Sequence, residues 1–175
     1  HARAYGLYQQ ALDIARELDY REGVAASVHQ LGDICMTWGQ RERARDLYEQ
    51  SLAIARELND RASVANSLRQ LGTLHREIAS YQKAGELYQQ SLDIDRDVGN
   101  RAGVASTLHQ LGILHQIQGE YDRARELYRR SLAIDRELGN RAGVVENVRQ
   151  LGVLTVARFG GHLRRRIFPR VSGHN

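Results

Sequence analysis

The sequence predicts an all-α fold, an α-solenoid of antiparallel helix hairpins, and three observations carry that expectation. First, Arg101 to Asn140 repeats Arg61 to Asn100 without gaps, with 22 of 40 positions identical, and self-similarity at a fixed offset of this size marks stacked supersecondary units. Second, each unit holds two apolar runs with three-and-four spacing, Val104, Leu108, Leu111 and Leu114, then Tyr121, Ala124, Leu127, Tyr128 and Leu132. That spacing gathers apolar groups on one face of a helix. Third, Gly119-Glu120 separates the two runs, and Gly99-Asn100 or Gly139-Asn140 separates the units. Glycine there is free to take the positive φ of a helix stop, and Asn can accept from the free backbone N–H groups of the next helix.

Taken in order, the chain opens in mid-pattern. Ala4, Tyr8, Ala11 and Leu12 stand one period before Ala44, Tyr48, Ser51 and Leu52, so residues 1–18 read as a lone second helix, as in a piece of a longer array. Three hairpins follow, with helices expected near 22–38 and 41–58, 62–78 and 81–98, and 102–118 and 121–138. A last first-type helix is expected over 142–158, keeping Leu151-Gly152 but not the closing glycine. The segment 159–175, FGGHLRRRIFPRVSGHN, departs from the repeat: Arg164 stands in the small-residue column, and Pro169 would interrupt a helix. The array is therefore expected over 1–158, and 159–175 as a basic tail that is disordered or not native to the protein.

The recurring columns are Leu31-Gly32, Ala44, Tyr48 and Ser51, then Leu71-Gly72, Ala84, Tyr88 and Ser91, then Leu111-Gly112, Ala124, Tyr128 and Ser131. A glycine in mid-helix costs about 1 kcal/mol against Ala, so its recurrence at 32, 72, 112 and 152 calls for a helix crossing close over bare backbone. Ala44, Ala84 and Ala124 are expected as its small partners, with tyrosines filling the adjoining gap. These columns resemble the signature of the tetratricopeptide repeat family. The 40-residue period is closest to arrays of the kinesin light chain type, to spindle-orientation adaptors and to bacterial signalling arrays. The resemblance implies a right-handed superhelix whose first helices line a concave groove.

Composition narrows the function. Apolar residues make up 42% and charged residues 26% of the chain, enough for a core and ordinary in charge. The single cysteine, Cys35, permits no internal disulfide, and no run approaches a membrane span of roughly 18 apolar residues. A reduced, cytoplasmic setting is expected. The four arginines of the tail, Arg164, Arg165, Arg166 and Arg170, account for the whole net charge of +4. The tail reads either as a basic arm for nucleic acid or acidic membrane, or as an end without structure. The array itself is charge-balanced, and six of eight tyrosines are assigned to core columns (8, 48, 88, 128 and 81, 121), so a platform for stacked bases is not expected.

No constellation for chemistry is present: there is no phosphate-loop spacing, no His-Glu-x-x-His, no Gly-x-Ser-x-Gly and no cysteine pair. No catalytic residue, metal, cofactor or small-molecule substrate is expected. His29 and His109 lie two repeats apart, at about 8 to 10 Å per packed helix, too far for one ion. His75 and His115 are expected to pack between helices.

What remains is surface. The resemblance places positions 26, 29, 30, 33 and 36, with their 40-residue equivalents, on the groove. Gln30, Gln70, Gln110 and Gln150 form one column, where kinesin-light-chain-like arrays usually carry an Asn whose amide pairs with a peptide backbone. Gln has the same donor and acceptor, or is a helix former copied with the repeat. His29, Arg69, His109 and Arg149 form a second column, with Arg76 further along its helix and Gln116 as its later equivalent. Arginines there would favour an acidic ligand, while Asp33 and Glu146 on the same face oppose it. The carboxylate clamp of chaperone-binding relatives is not matched, since His29 and Asp33, then Arg69 and Thr73, occupy its places. The expected function is a protein-interaction scaffold that binds an extended peptide or partner helix in the groove. The alternative is an intramolecular regulatory arm of a larger bacterial signalling ATPase or transcription regulator. An end-to-end homodimer would cover Val148, Leu151, Val153 and Leu154, which have lost a partner helix.

Overall fold

Each unit folds as two helices of 17 residues joined by three-residue turns. The computed structural model describes residues 2–167, with side chains as far as Thr155. In order, the helices are α1 (Ala2–Glu17), α2 (Arg21–Thr37), α3 (Arg41–Glu57), α4 (Arg61–Glu77), α5 (Tyr81–Asp97), α6 (Arg101–Ile117), α7 (Tyr121–Glu137) and α8 (Arg141–Ile167). There is no strand among the described residues. Helices adjacent in sequence pack on one another, and α4 also touches α6 across one helix. The result is an α-solenoid of helix hairpins, with α2, α4, α6 and α8 as the first helices. No described helix is long and apolar enough to cross a membrane.

The turns follow one design. At Gly99, φ is +70°, its N–H reaches Arg96 O at 3.1 Å, and Asn100 N–H reaches Asp95 O at 2.8 Å. This paired closure satisfies two carbonyls of the helix end. The same closure appears at Ala79 with φ +60°, where an L side chain is strained. The next helix is then capped where the residue permits: Asn100 and Asn140 accept from the backbone N–H of Gly103 and Gly143 at 3.1 and 3.2 Å. Glu120 makes no such cap and instead accepts from Arg123 and His115.

Between the two helices of a hairpin, the tyrosine ring itself lies on the glycine. A Cβ added at Gly32, Gly72 or Gly112 would stand 2.7, 2.7 or 2.6 Å from a ring carbon of Tyr48, Tyr88 or Tyr128. The expected pairing of glycine with the alanine column is thereby corrected: the large residue occupies the notch, and Ala44, Ala84 and Ala124 are buried beside it. Tyr48, Tyr88 and Tyr128 are closed off from solvent, whereas Tyr8 is 36% and Tyr121 49% exposed, so neither is the core residue its column suggests. A Cβ added at Gly152 would meet no side chain of another helix within 4 Å among the described residues.

A line of buried hydroxyls runs through this apolar interior. Ser51 pairs with Ser67 at 3.4 Å, Ser91 with Thr107 at 3.2 Å, and Ser131 accepts from Asn147 Nδ2 at 2.9 Å, each across the junction between two units. Ser51 and Ser131 also donate to the carbonyls of Ala25 and Ala105, so these buried hydroxyls are met.

The last helix departs from expectation. It continues past residue 158 to Ile167, so residues 159–167 are helical rather than irregular. Loss of the repeat pattern removes a packing face without removing helix propensity, and the first strong helix breaker is Pro169. The predictions made for Phe168, Pro169 and Arg170, and for the side chains of Arg164, Arg165 and Arg166, lie outside the described residues.

Candidate functional site

The first helices present a face made largely of half-buried polar side chains. Its first row is fixed from one repeat to the next. Asp33 accepts from the hydroxyl of Tyr48 at 2.7 Å and from Gln70 Nε2 at 2.9 Å. The tyrosine that seats on the glycine thus brings its polar tip to Asp33 on the first helix, where burial holds its phenol protonated well above the usual range. Tyr88 finds Thr73 at 3.1 Å, and Tyr128 donates to Gln116 Oε1 at 2.8 Å.

The second row links His29 to Asn66, whose Nδ2 donates to His29 Nε2 at 3.0 Å, while Arg69 donates to Asn66 Oδ1. Two repeats along, His109 Nδ1 meets Asn147 Oδ1 at 2.9 Å. His29 is only 6% exposed, and burial lowers its pKa, with Asp33 opposing and Arg69 reinforcing the shift. It faces the array rather than open groove. Burial also lowers the pKa of Arg69, against the pull of Asp95 and Asp33.

The glutamines differ along the row. Gln70 is engaged by Asp33, and Gln150 donates to Glu146 at 2.9 Å. Gln110 keeps a buried Oε1 without a partner, and Gln30 lies half-buried. Arg149 is held by Glu146 through two bonds of 3.0 and 2.6 Å, and together with Gln150 it keeps the Glu146 carboxyl at about 2. Among the described residues, Arg69 and Arg76 each retain a buried Nε without a partner, as does His75 at Nδ1.

Two clefts open between successive first helices. The wider one, about 380 Å³, lies between α4 and α6 and is lined by Asn66, Arg69, Asp95, Asn100, Gly103 and Ser106. The narrower, about 190 Å³, lies between α6 and α8 and includes Arg69, His109, Gln110, Asp135 and Asn147. Arg69 therefore forms part of both walls. Asp95 at 1% and Asp135 at 4% exposure lie beneath them, and burial raises the Asp95 pKa. Asn66 is the equivalent of position 26 and so stands among the groove positions named by the resemblance, whereas Asp95, Asp135 and Asn147 are absent from them. The visible signal was their recurrence, Asp95 and Asp135 one period apart, but it does not reveal that the second helix reaches into the groove wall.

Among the described residues, no three His, Cys, Asp or Glu side chains converge as metal ligands do. No curated protein matches the chain significantly. Among solved structures, BtubC (BKLC) from P. vanneervenii is 21% identical with a TM-score of 0.66, over 99% of this chain and 79% of that one. Aspartyl phosphate phosphatase F from Bacillus subtilis is 14% identical with a TM-score of 0.73, over 82% of this chain but only 38% of its own length. The putative kinesin light chain repeats of Podosopora anserina are 21% identical with a TM-score of 0.59, over 90% of this chain and 88% of that one. These likenesses concern the fold. The tetratricopeptide repeat model matches residues 1–57 and 58–137; with the glycine–tyrosine seats in phase across three hairpins, the chain belongs to the tetratricopeptide repeat family.

Proposed function

We propose that the array is a protein-interaction scaffold whose first helices hold an extended segment of a partner protein along the concave face. The observation that carries this reading is where unmet hydrogen-bonding groups collect. Among the described residues four buried side-chain atoms lack partners; Arg69 Nε, Arg76 Nε and Gln110 Oε1 stand at positions that the repeat resemblance assigns to the groove, and the fourth, His75 Nδ1, does not. A buried polar group left unmet costs about 1–3 kcal/mol. An extended segment offers a carbonyl and an N–H at each residue, the complement of such a face. The clefts beside Arg69 give its side chains places to enter.

The test uses fluorescein-labelled peptide mixtures, acidic, basic and neutral, with anisotropy as the readout. Ser106, exposed at the mouth of both clefts, is changed to Trp, and Ala133, exposed on the second helix α7, is changed to Trp as the control. Ser106→Trp should weaken binding at least tenfold and Ala133→Trp should leave it unchanged. Equal affinity of both variants would remove the groove from the account.

A further inference from the structure

The arginines of this chain are not equivalent in their company. Several exposed ones find acids, Arg21 with Glu57, Arg41 with Glu77, Arg61 with Asp97, Arg101 with Glu137 and Arg149 with Glu146, whereas others, such as Arg56, Arg129 and Arg136, stand in solvent with no ion pair among the described residues. Among the described residues, Arg69 and Arg76 form no ion pair, although both are half-buried on the groove. The carboxylates nearest to Arg69 are already engaged by neutral donors, Asp33 by Tyr48 and Gln70, and Asp95 by Asn100 at 2.7 Å. Arg69 itself reaches only the neutral Asn66 Oδ1. Arg149, which repeat spacing would pair with Arg69 as an acid receptor, is taken by Glu146.

Arg69 and Arg76 are seven residues apart, so two turns of α4 separate them by about 10.5 Å on one face. A carboxylate accepts two parallel N–H bonds from a guanidinium and neutralises it at the same time. In a polyproline-like extended chain, side chains three residues apart return to one edge at about 9.3 Å. That spacing spans the two guanidinium groups. Adjacent acidic residues would not span them, and alternating residues of a fully extended strand, about 6.7 Å apart, would fall short.

We propose that Arg69 and Arg76 form a two-point carboxylate reader, so that the segment held by the groove carries two acidic side chains three residues apart. Gln110 Oε1, on the facing helix, takes a backbone N–H of the same segment. This assignment rests on the groove reading above, and its test separates the two.

Fluorescein-labelled twelve-residue peptides with two glutamates three residues apart are titrated against the whole chain. They are compared with isomers carrying adjacent glutamates and with the peptide in which both are Gln. The three-residue spacing should bind at least tenfold more tightly than the Gln peptide, with the advantage shrinking as salt rises. The variant carrying both Arg69→Gln and Arg76→Gln should lose that advantage, binding the acidic and the Gln peptides alike. Arg69→Lys, which keeps the charge without the fork, should retain only part of it. Circular dichroism checks that each variant is folded. Equal affinity for acidic and neutral peptides overturns the two-point reader and leaves the groove reading standing. Binding of none of them overturns both.

Discussion

The junction between α3 and α4 and the junction between α5 and α6 perform one task with different chemistry. In the first, Ala55 lies under the turn, and Asp60 accepts from Ser63 N–H at 3.1 Å. In the second, Asp95 stands where Ala55 was. Asn100 donates through Nδ2 to Asp95 at 2.7 Å, while its Oδ1 caps Gly103 N–H at 3.1 Å. The α7–α8 junction repeats the second solution with Asp135, Asn140 and Gly143. The three positions change as a set because each depends on the others. A Cβ at Gly103 would overlap both oxygens of the Asp95 carboxylate. An Asp at 100 could cap the helix but could not donate to a carboxylate beneath it. The lesson is that each of these boundaries is a self-consistent set, and mixing these two should fail; the α1–α2 boundary is a third set, in which Gly23 lies beside Ala15 and against the ring of Tyr20, which makes no side-chain cap.

The largest expected effect comes from mixing at the steric position. Gly103→Ser should destabilise the chain by about 2–4 kcal/mol, read by urea unfolding, because the new Cβ meets a buried carboxylate held by its own cap. Adding Asp95→Ala should restore most of the loss; additive losses would refute the coupling. Asn100→Asp comes next, at about 1–3 kcal/mol near neutral pH, since it replaces a donor to Asp95 with a second negative charge. Unchanged stability there would mean that the Asp95 bond carries nothing.

A smaller effect concerns pH. Burial raises the Asp95 pKa above its ordinary 3.8. The folded chain then holds the proton more tightly than the unfolded one, so this group's contribution is full below 3.8 and lost as pH rises through the raised value. Acidification from about pH 7 to about pH 4 should therefore shift the difference in Tm in favour of wild type over Asp95→Ala. Carboxyls held low, such as Glu146, lose their contribution on acidification but cancel in that difference. A constant difference would contradict the shift. The smallest effect is the clean exchange: Ala55→Asp with Asp60→Asn and Ser63→Gly should change stability by less than about 1 kcal/mol. A much larger loss would show that the set needs more than these residues.

The regular features of this molecule were legible because they recur. Helix starts and stops agree with the periodic pattern to within a residue or two through Glu137, and the glycine column announced a close approach at Gly32, Gly72 and Gly112. The identity of the occupant was not legible, since only geometry decides that a tyrosine ring, and not the neighbouring alanine, lies in the notch. The groove was harder still. Whether Gln70 is available to a ligand depends on Asp33, 37 residues away, and whether Arg149 is available depends on Glu146 one turn before it. Column membership assigns a place on a helix; company across the junction assigns its work. Tyr121 shows the same limit from the apolar side, because a core column carries a residue out to 49% exposure when its neighbours leave one flank open.

The hydroxyl pairs buried between units, Ser51 with Ser67, Ser91 with Thr107, and Ser131 with Asn147, have a further consequence for shape. Leucine and alanine contacts tolerate small sliding, because one apolar surface is much like another. A buried hydroxyl whose partner moves out of reach is stranded away from water, at about 1–3 kcal/mol. These pairs therefore work like detents on a threaded rod. They let each hairpin seat at one rotation against the next, and a groove built from many small steps keeps a fixed pitch over its whole length.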